Sequence, residues 1–239
     1  MTKFSVLACA LISASVLFAQ DQDEGHWPVT LGLKGGVPIT GMFSASNTGI
    51  LGPSIINSVN GVGQFSQQIP GSAFSSHTAR YILGASAEFR VPFHHLRFEV
   101  DGLYKRGGFN SALPFGGALA YRPTTFNWWE IPGLFKFNVS LGHFRPFFDV
   151  GASYRHIASI TETAYLPGAF QPVYNNNSIA MYNRNSFGGV AGFGMTFKRG
   201  PFELTPEVRY TRWANQAFAN PNGLRTNLDQ GDFLLGISF

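Results

Sequence analysis

Four large apolar residues, Phe233, Leu235, Ile237 and Phe239, take every second place in the last nine residues, GDFLLGISF. Asp232, Leu234, Gly236 and Ser238 take the other parity. A period of two is that of a β-strand, whose side chains alternate between faces. One face is apolar to the final residue, whereas chain ends usually fray into water. A closed membrane barrel accommodates such a strand: it pairs with the first strand, and its outer face meets hydrocarbon.

The alternation recurs seven times upstream. Predicted strands cover about 29–39, 80–91, 96–106, 125–139, 144–155, 185–198 and 202–213, with 231–239 the eighth. The third is the clearest, with Leu96, Phe98, Val100 and Tyr104 opposite Arg97, Glu99, Asp101 and Lys105. Pro132, which cannot donate to a ladder, is read as a bulge in the fourth. Segments 41–78, 107–124, 156–184 and 214–227, rich in Ser, Asn, Gly and Pro, are read as exposed loops. Long and short connections therefore alternate. In an up-and-down antiparallel sheet this places all long connections on one rim and all short ones on the other.

Composition decides which face is inside. Charged residues make up 13% of the chain, about half the roughly 25% of ordinary soluble domains. No apolar run in the body approaches the ~20 residues of a spanning helix. A soluble barrel would be apolar within and polar without. Here large aromatics recur near strand ends on the apolar parity, as interfacial girdles require. The polar parity mixes both signs at mid-strand: Arg97, Glu99, Asp101, Lys105, Glu130, Lys136, Asp149, Glu207 and Arg209. These are predicted to form a lumen charge network. An eight-stranded interior is just wide enough for its own side chains, and an unpaired buried charge costs several kcal/mol. The expected lumen is a plugged polar core.

The first 19 residues read as a secretory signal, with Lys3, an apolar stretch from Phe4 to Phe18, and Ala19 before the cut. Leu17 stands where a small residue is usual, so the cut site stays open. Residues 20–239 form the barrel domain in this reading. The lone Cys9 leaves with the signal, which excludes disulfides and thiolate chemistry from the mature chain. Without Lys3, 16 basic residues face 13 acidic ones, too mild an excess to point to nucleic acid.

The terminal strand resembles the closing strand of bacterial outer-membrane β-barrels, and the rim asymmetry extends the resemblance over the whole mature chain. The resemblance is to small barrels of the outer-membrane protein A and X type. It implies an all-β, eight-stranded antiparallel up-and-down transmembrane β-barrel with long extracellular loops and short periplasmic turns. It also implies a place in the cell outer membrane, and recognition of Phe233, Leu235, Ile237 and Phe239 by the barrel-assembly machinery. A peptidoglycan-anchoring role is not carried over.

Arg80, Arg106, Arg122, Arg155, Arg184 and Arg212, with Lys34 and Arg225, are predicted to ring the outer rim, where few acids lie. Such a ring suits phosphates of an anionic outer-membrane lipid, lipopolysaccharide among them; the bland alternative is ordinary snorkelling. His156 with Ser159 and Glu162, and Ser76 with His77, are the nearest approach to a hydrolase site, and neither matches a known motif. The reading therefore names no catalytic residue, metal or cofactor. It expects a monomeric scaffold presenting loops for surface contact, with a narrow channel or a lipid A-modifying enzyme as alternatives.

Overall fold

A computed structural model of the protein describes residues 29–44, 73–91, 95–115, 118–139, 144–166, 168, 170–176, 178, 181–219 and 225–239; side chains are described except at 73–80 and 112–119. The predicted signal and most of the first long connection lie outside these residues. Among them, eight long strands form one antiparallel ring: β1 (Val29–Pro38), β3 (Ala73–Arg90), β4 (Leu96–Phe115), β5 (Ala118–Asn138), β6 (Phe144–Ala164), β8 (Asn185–Arg199), β9 (Phe202–Trp213) and β11 (Asp229–Ser238). Three short strands, β2 (Phe43–Ser44), β7 (Val173–Asn175) and β10 (Arg225–Thr226), lie in the long connections. β2 pairs with β10, and β7 adds to β6.

Every wall strand is paired on both sides, so the ring is closed. β5 pairs with β6, and β11 pairs with β1 from Gly32↔Ser238 to Pro38↔Asp232. Phe239 donates its amide to Leu31, 3.1 Å away, at one end of that seam. Closure leaves no strand edge in the wall, so each backbone group can pair without water. The short connection between β8 and β9 turns on Gly200, whose φ of 63° suits a residue without Cβ.

All eight predicted strands are present, but four are longer than the alternation indicates: β3 already begins at Ala73, inside the segment read as a loop at 41–78. β4 and β5 run on through the segment read as a loop at 107–124 and meet at Phe115↔Ala118. β6 continues to Ala164. Pro132 does not make a bulge: the β4–β5 register is the same at Val100↔Gly133 and Leu103↔Glu130 on either side of it. The register shift falls instead between Asn127↔Ser159 and Trp128↔Ile157, with Ala158 as the extra residue. One added residue turns the strand over: the inward parity of Ser153, Arg155 and Ile157 gives way to that of Ile160, Glu162 and Ala164.

The wall is apolar outside and ionic inside. Leu33, Phe135, Phe148, Phe193, Phe233, Leu235 and Ile237 are exposed, whereas Lys34, Glu99, Asp101, Lys136, Glu207 and Arg209 are buried. Phenylalanines pair across strands towards the short-turn rim, with ring centroids 5.2 Å apart for Phe98–Phe135 and 4.8 Å for Phe137–Phe148. Near the long-loop end the outer rings are Tyr104–Trp129 (5.3 Å) and Tyr154–Phe187 (5.0 Å). Six residues separate Phe98 from Tyr104 and Phe148 from Tyr154, about 20 Å along a strand. Aromatics flanking a tilted apolar band are the arrangement expected at two membrane interfaces.

Candidate functional site: a filled lumen and an uncharged outer wall

The lumen is organised in layers set by register. At the short-turn end Arg97 pairs with Glu88, and Arg145 with Glu203 at 2.6 Å. Above them Lys34 Nζ donates to Glu99 (2.5 Å), Glu207 (3.0 Å) and Asp101 (3.1 Å). Arg209 reaches the same acids: its Nε donates to Glu207 at 2.6 Å, Nη1 to Asp101 at 2.8 Å and Nη2 to Glu99 at 3.4 Å. Lys136 donates to Glu99 and Glu88, with its Nζ 4.4 Å from the centre of the Phe147 ring. Lys34 from β1 and Arg209 from β9 both reach the acids of β4, so the network also ties opposite walls together.

A thin apolar layer follows, made by Ile82, Leu103 and Leu234. Gly36 and Gly84 leave room for it: a Cβ at either would come within 2.7 Å of Leu234 or 2.8 Å of Leu103. Next, Lys105 Nζ lies 2.7 Å from both Glu130 and Asp232. Gln230 donates to Asp232 at 2.7 Å and to Glu130 at 3.2 Å. Two indoles finish this layer, Trp128 donating to Glu130 (2.8 Å) and Trp213 to Gln230 (3.0 Å). The Arg155 guanidinium lies over Trp213, 3.7 Å from the ring centre.

The mouth is closed by rings rather than charges. Phe43 from β2, Phe109 from β4, Phe126 and Trp128 from β5, Ile157 and Ile160 from β6, and Phe218 share one buried cluster with Met42 and Ala217. Phe126 and Phe218 centroids are 4.7 Å apart, and Phe43–Phe109 and Phe43–Phe218 are 5.5 and 5.7 Å. Backbone bonds knit the long connections across the opening: Asn227 N donates to Met42 O (2.7 Å), and Tyr182 N to Ala217 O (2.9 Å). Thr226 Oγ1 accepts from Phe218 N at 2.8 Å.

Arg97, Glu99, Asp101, Lys105, Glu130, Lys136, Glu207 and Arg209 all join the lumen contacts described. Asp149 is buried with them, but neither of its carboxylate oxygens has a hydrogen-bond partner. Beside it the wall is smooth: a Cβ on Gly192 would lie 2.6 Å from Asp149 Oδ1, and one on Gly194 would lie 2.5 Å from the Phe147 ring. Sequence reasoning missed Lys34, Arg155 and Asp232 as members. Parity marks all three as inward; Arg155 and Asp232 lay close to apparent strand ends, and Lys34, mid-strand, was assigned to the rim instead. Phe43 and Phe218 carried no signal, since they stand in Ser- and Asn-rich stretches without alternation.

The predicted rim of basic residues is only partly at the rim. Arg155 is buried against Trp213, and Lys34 lies in the ionic layer beneath Ile82, Leu103 and Leu234, because both share the inward parity of their strands. Arg122 turns inward to Glu162 at 3.4 Å, and Ser178 donates to the same acid at 3.1 Å. Arg184 is half-buried, its Nη1 3.5 Å from Ile157 O. Arg106 and Arg212 are exposed, and Arg212 pairs with Asp229 at 2.5 Å. The side chain of Arg80 is outside the described residues. Phe233, Leu235, Ile237 and Phe239 face outward.

His156, Ser159 and Glu162 do not converge. Glu162 is buried inside, while His156 Nδ1 meets Asn185 Oδ1 at 2.8 Å on the outer face. Ser159 Oγ accepts from Asn127 at 3.2 Å. The bulge at Ala158 puts the acid and the other two on opposite sides of the wall. The His77 side chain lies outside the described residues.

No protein-family model matches the chain, and no curated protein matches it. Solved structures of similar shape include Neisserial surface protein A, with 13% identity over 90% of this chain and 98% of that one and a TM-score of 0.43. The outer membrane protein OprG from Pseudomonas aeruginosa has 13% identity over 88% and 94%, with a TM-score of 0.47. Ail, the attachment invasion locus protein of Yersinia pestis, has 10% identity over 89% and 98%, with a TM-score of 0.36. The closed ring of eight strands, apolar outside and ionic inside, has the fold of the small outer-membrane β-barrels.

Proposed function

We propose that the protein is an outer-membrane scaffold that holds a raised platform of strands and loops at the cell surface, with no conducting path through its centre. The observation that carries this reading is the filling of the lumen: an aromatic cluster closes the mouth, and ionic layers occupy the space beneath it. Lys34, Lys105, Lys136 and Arg209, each already bound to two or three carboxylates, offer no free route to a passing ion. The long extensions of β4, β5 and β6 support a presenting role, since they rise well beyond the Tyr104–Trp129 level.

Planar-bilayer recording on the refolded protein tests the reading. The expected result is a flat trace from protein whose heat-modifiable gel migration shows it folded. A reproducible single-channel step would replace the scaffold with a narrow channel.

A further inference from the structure

The outward face of β5 and β6 above Trp129 carries matched rungs. Register pairs Asn127 with Ser159, Thr125 with Thr161, and Tyr121 with Tyr165. The first rung is a direct hydrogen bond of 3.2 Å, and the tyrosine rings of the last are 6.2 Å apart. Thr125, Ser159, Thr161, Tyr121 and Tyr165 are all exposed. The eight residues from Trp129 to Tyr121 rise about 27 Å along the strand, or roughly 20 Å after allowing for a tilt of about 40°. This face therefore stands above the hydrocarbon, at the depth of headgroups and the sugars attached to them.

Its composition is unusual for a surface in water. Among the described residues, the outward face of β4–β6 above Trp129 bears no carboxylate, whereas soluble surfaces are about 25–35% charged. Apart from Pro123, Ala158 and Arg106, hydroxyls, amides and two phenol rings remain, groups that bond polyhydroxyl ligands and pack flat against them. Arg106, exposed and in register with Asn127, stands at the foot of the ladder, just above Tyr104. A single guanidinium at the interface suits a phosphate, and the uncharged rungs above it suit neutral sugars.

We propose that this face seats one anionic glycolipid of the outer leaflet: Arg106 takes a phosphate, and the Asn127–Ser159, Thr125–Thr161 and Tyr121–Tyr165 rungs take its saccharide. The proposal rests on the outer-membrane reading and adds the ligand class and the surface. It also replaces the broad basic ring with one lipid-facing arginine and the uncharged ladder above it.

The test uses the full-length protein in nanodiscs, after heat-modifiable migration has established that each variant is folded. The probes are a phosphorylated glycolipid with its core saccharide, the same lipid trimmed to its phosphorylated acylated disaccharide, and phosphatidylglycerol, with bound lipid counted by native mass spectrometry. Wild type is expected to prefer the full glycolipid over the trimmed one about tenfold, the scale of two net hydrogen bonds. The triple variant Thr125→Ala, Thr161→Ala, Tyr165→Ala should lose that preference while still binding the trimmed form. Arg106→Gln should weaken both glycolipids by the same factor. Equal binding of full and trimmed forms by wild type, or an unchanged preference in the triple variant, overturns the saccharide assignment. A loss confined to the full form in Arg106→Gln overturns the phosphate assignment. If wild type fails to fold in a bilayer, the outer-membrane reading itself falls.

Discussion

Lys34 Nζ lies 3.0 Å from a carboxylate oxygen of Glu207, joining β1 to β9 across the barrel interior. Both groups are buried, and the same ammonium also serves Glu99 and Asp101. Removing this cation leaves three acids to share Arg209 and Lys136. Lys34→Met is expected to destabilise the barrel by about 3–5 kcal/mol, the usual cost of breaking a buried ionic cluster from one side. Urea unfolding in lipid vesicles, followed by tryptophan fluorescence, measures it. The double variant Lys34→Met, Glu99→Gln should recover part of the loss.

Asp149 presents the opposite case. It is buried with neither carboxylate oxygen hydrogen-bonded to the protein, and its neighbour on β8 is Gly192, which has no side chain to donate. Asp149→Asn removes a charge that lacks a hydrogen-bond partner, so stability should stay level or rise by about 1 kcal/mol. The same unfolding assay should show Asp101→Asn falling well below wild type, since Asp101 accepts from both Lys34 and Arg209.

The smooth inner face of β8 predicts a sided response to substitution. Gly194→Val would drive atoms into the Phe147 ring and Pro206 O, both 2.5 Å from the added Cβ. The folded, heat-modifiable band should be lost. Gly189→Val, whose Cβ meets nothing within 4 Å on the outward face, should fold as wild type.

The lipid-facing parity makes its own prediction. Leu235 is exposed midway along β11, opposite Gly35. Leu235→Arg should destabilise the folded barrel by about 2–4 kcal/mol in a bilayer. Refolding titrations into vesicles give the value, and an unchanged midpoint would contradict the orientation of the wall.

Phe43 is the keystone of the mouth, touching Phe109, Phe126 and Phe218. Phe43→Ala should cost about 3–5 kcal/mol locally, seen as faster proteolysis of the long connections. Conductance should stay absent, because the ionic layers below are untouched.

The sequence-level alternation located every wall strand to within a few residues, except where strands outrun it. Gly107, Gly108, Asn110 and Ser111 have the composition of a loop, yet they lie in β4 because β3 and β5 supply ladder partners on both sides. One cause explains two misses. A strand taken to stop at Arg155 puts that arginine on the rim; a strand that continues to Ala164 puts it mid-wall, against Trp213. Trp128, Phe126 and Leu103 stayed hidden for another reason. A rule that assigns polar residues inward has no place for apolar ones on the same parity, and the upper lumen uses many.

The seam between β1 and β11 brings together residues about two hundred positions apart, such as Gly32 and Ser238. Until the closing strand arrives, the first has only β3 beside it, and its other margin is bare. Assembly must therefore wait for synthesis of the whole sheet, and an early intermediate would expose backbone groups that hydrocarbon cannot satisfy. The barrel shuts in one late event, when the last strand reaches the first.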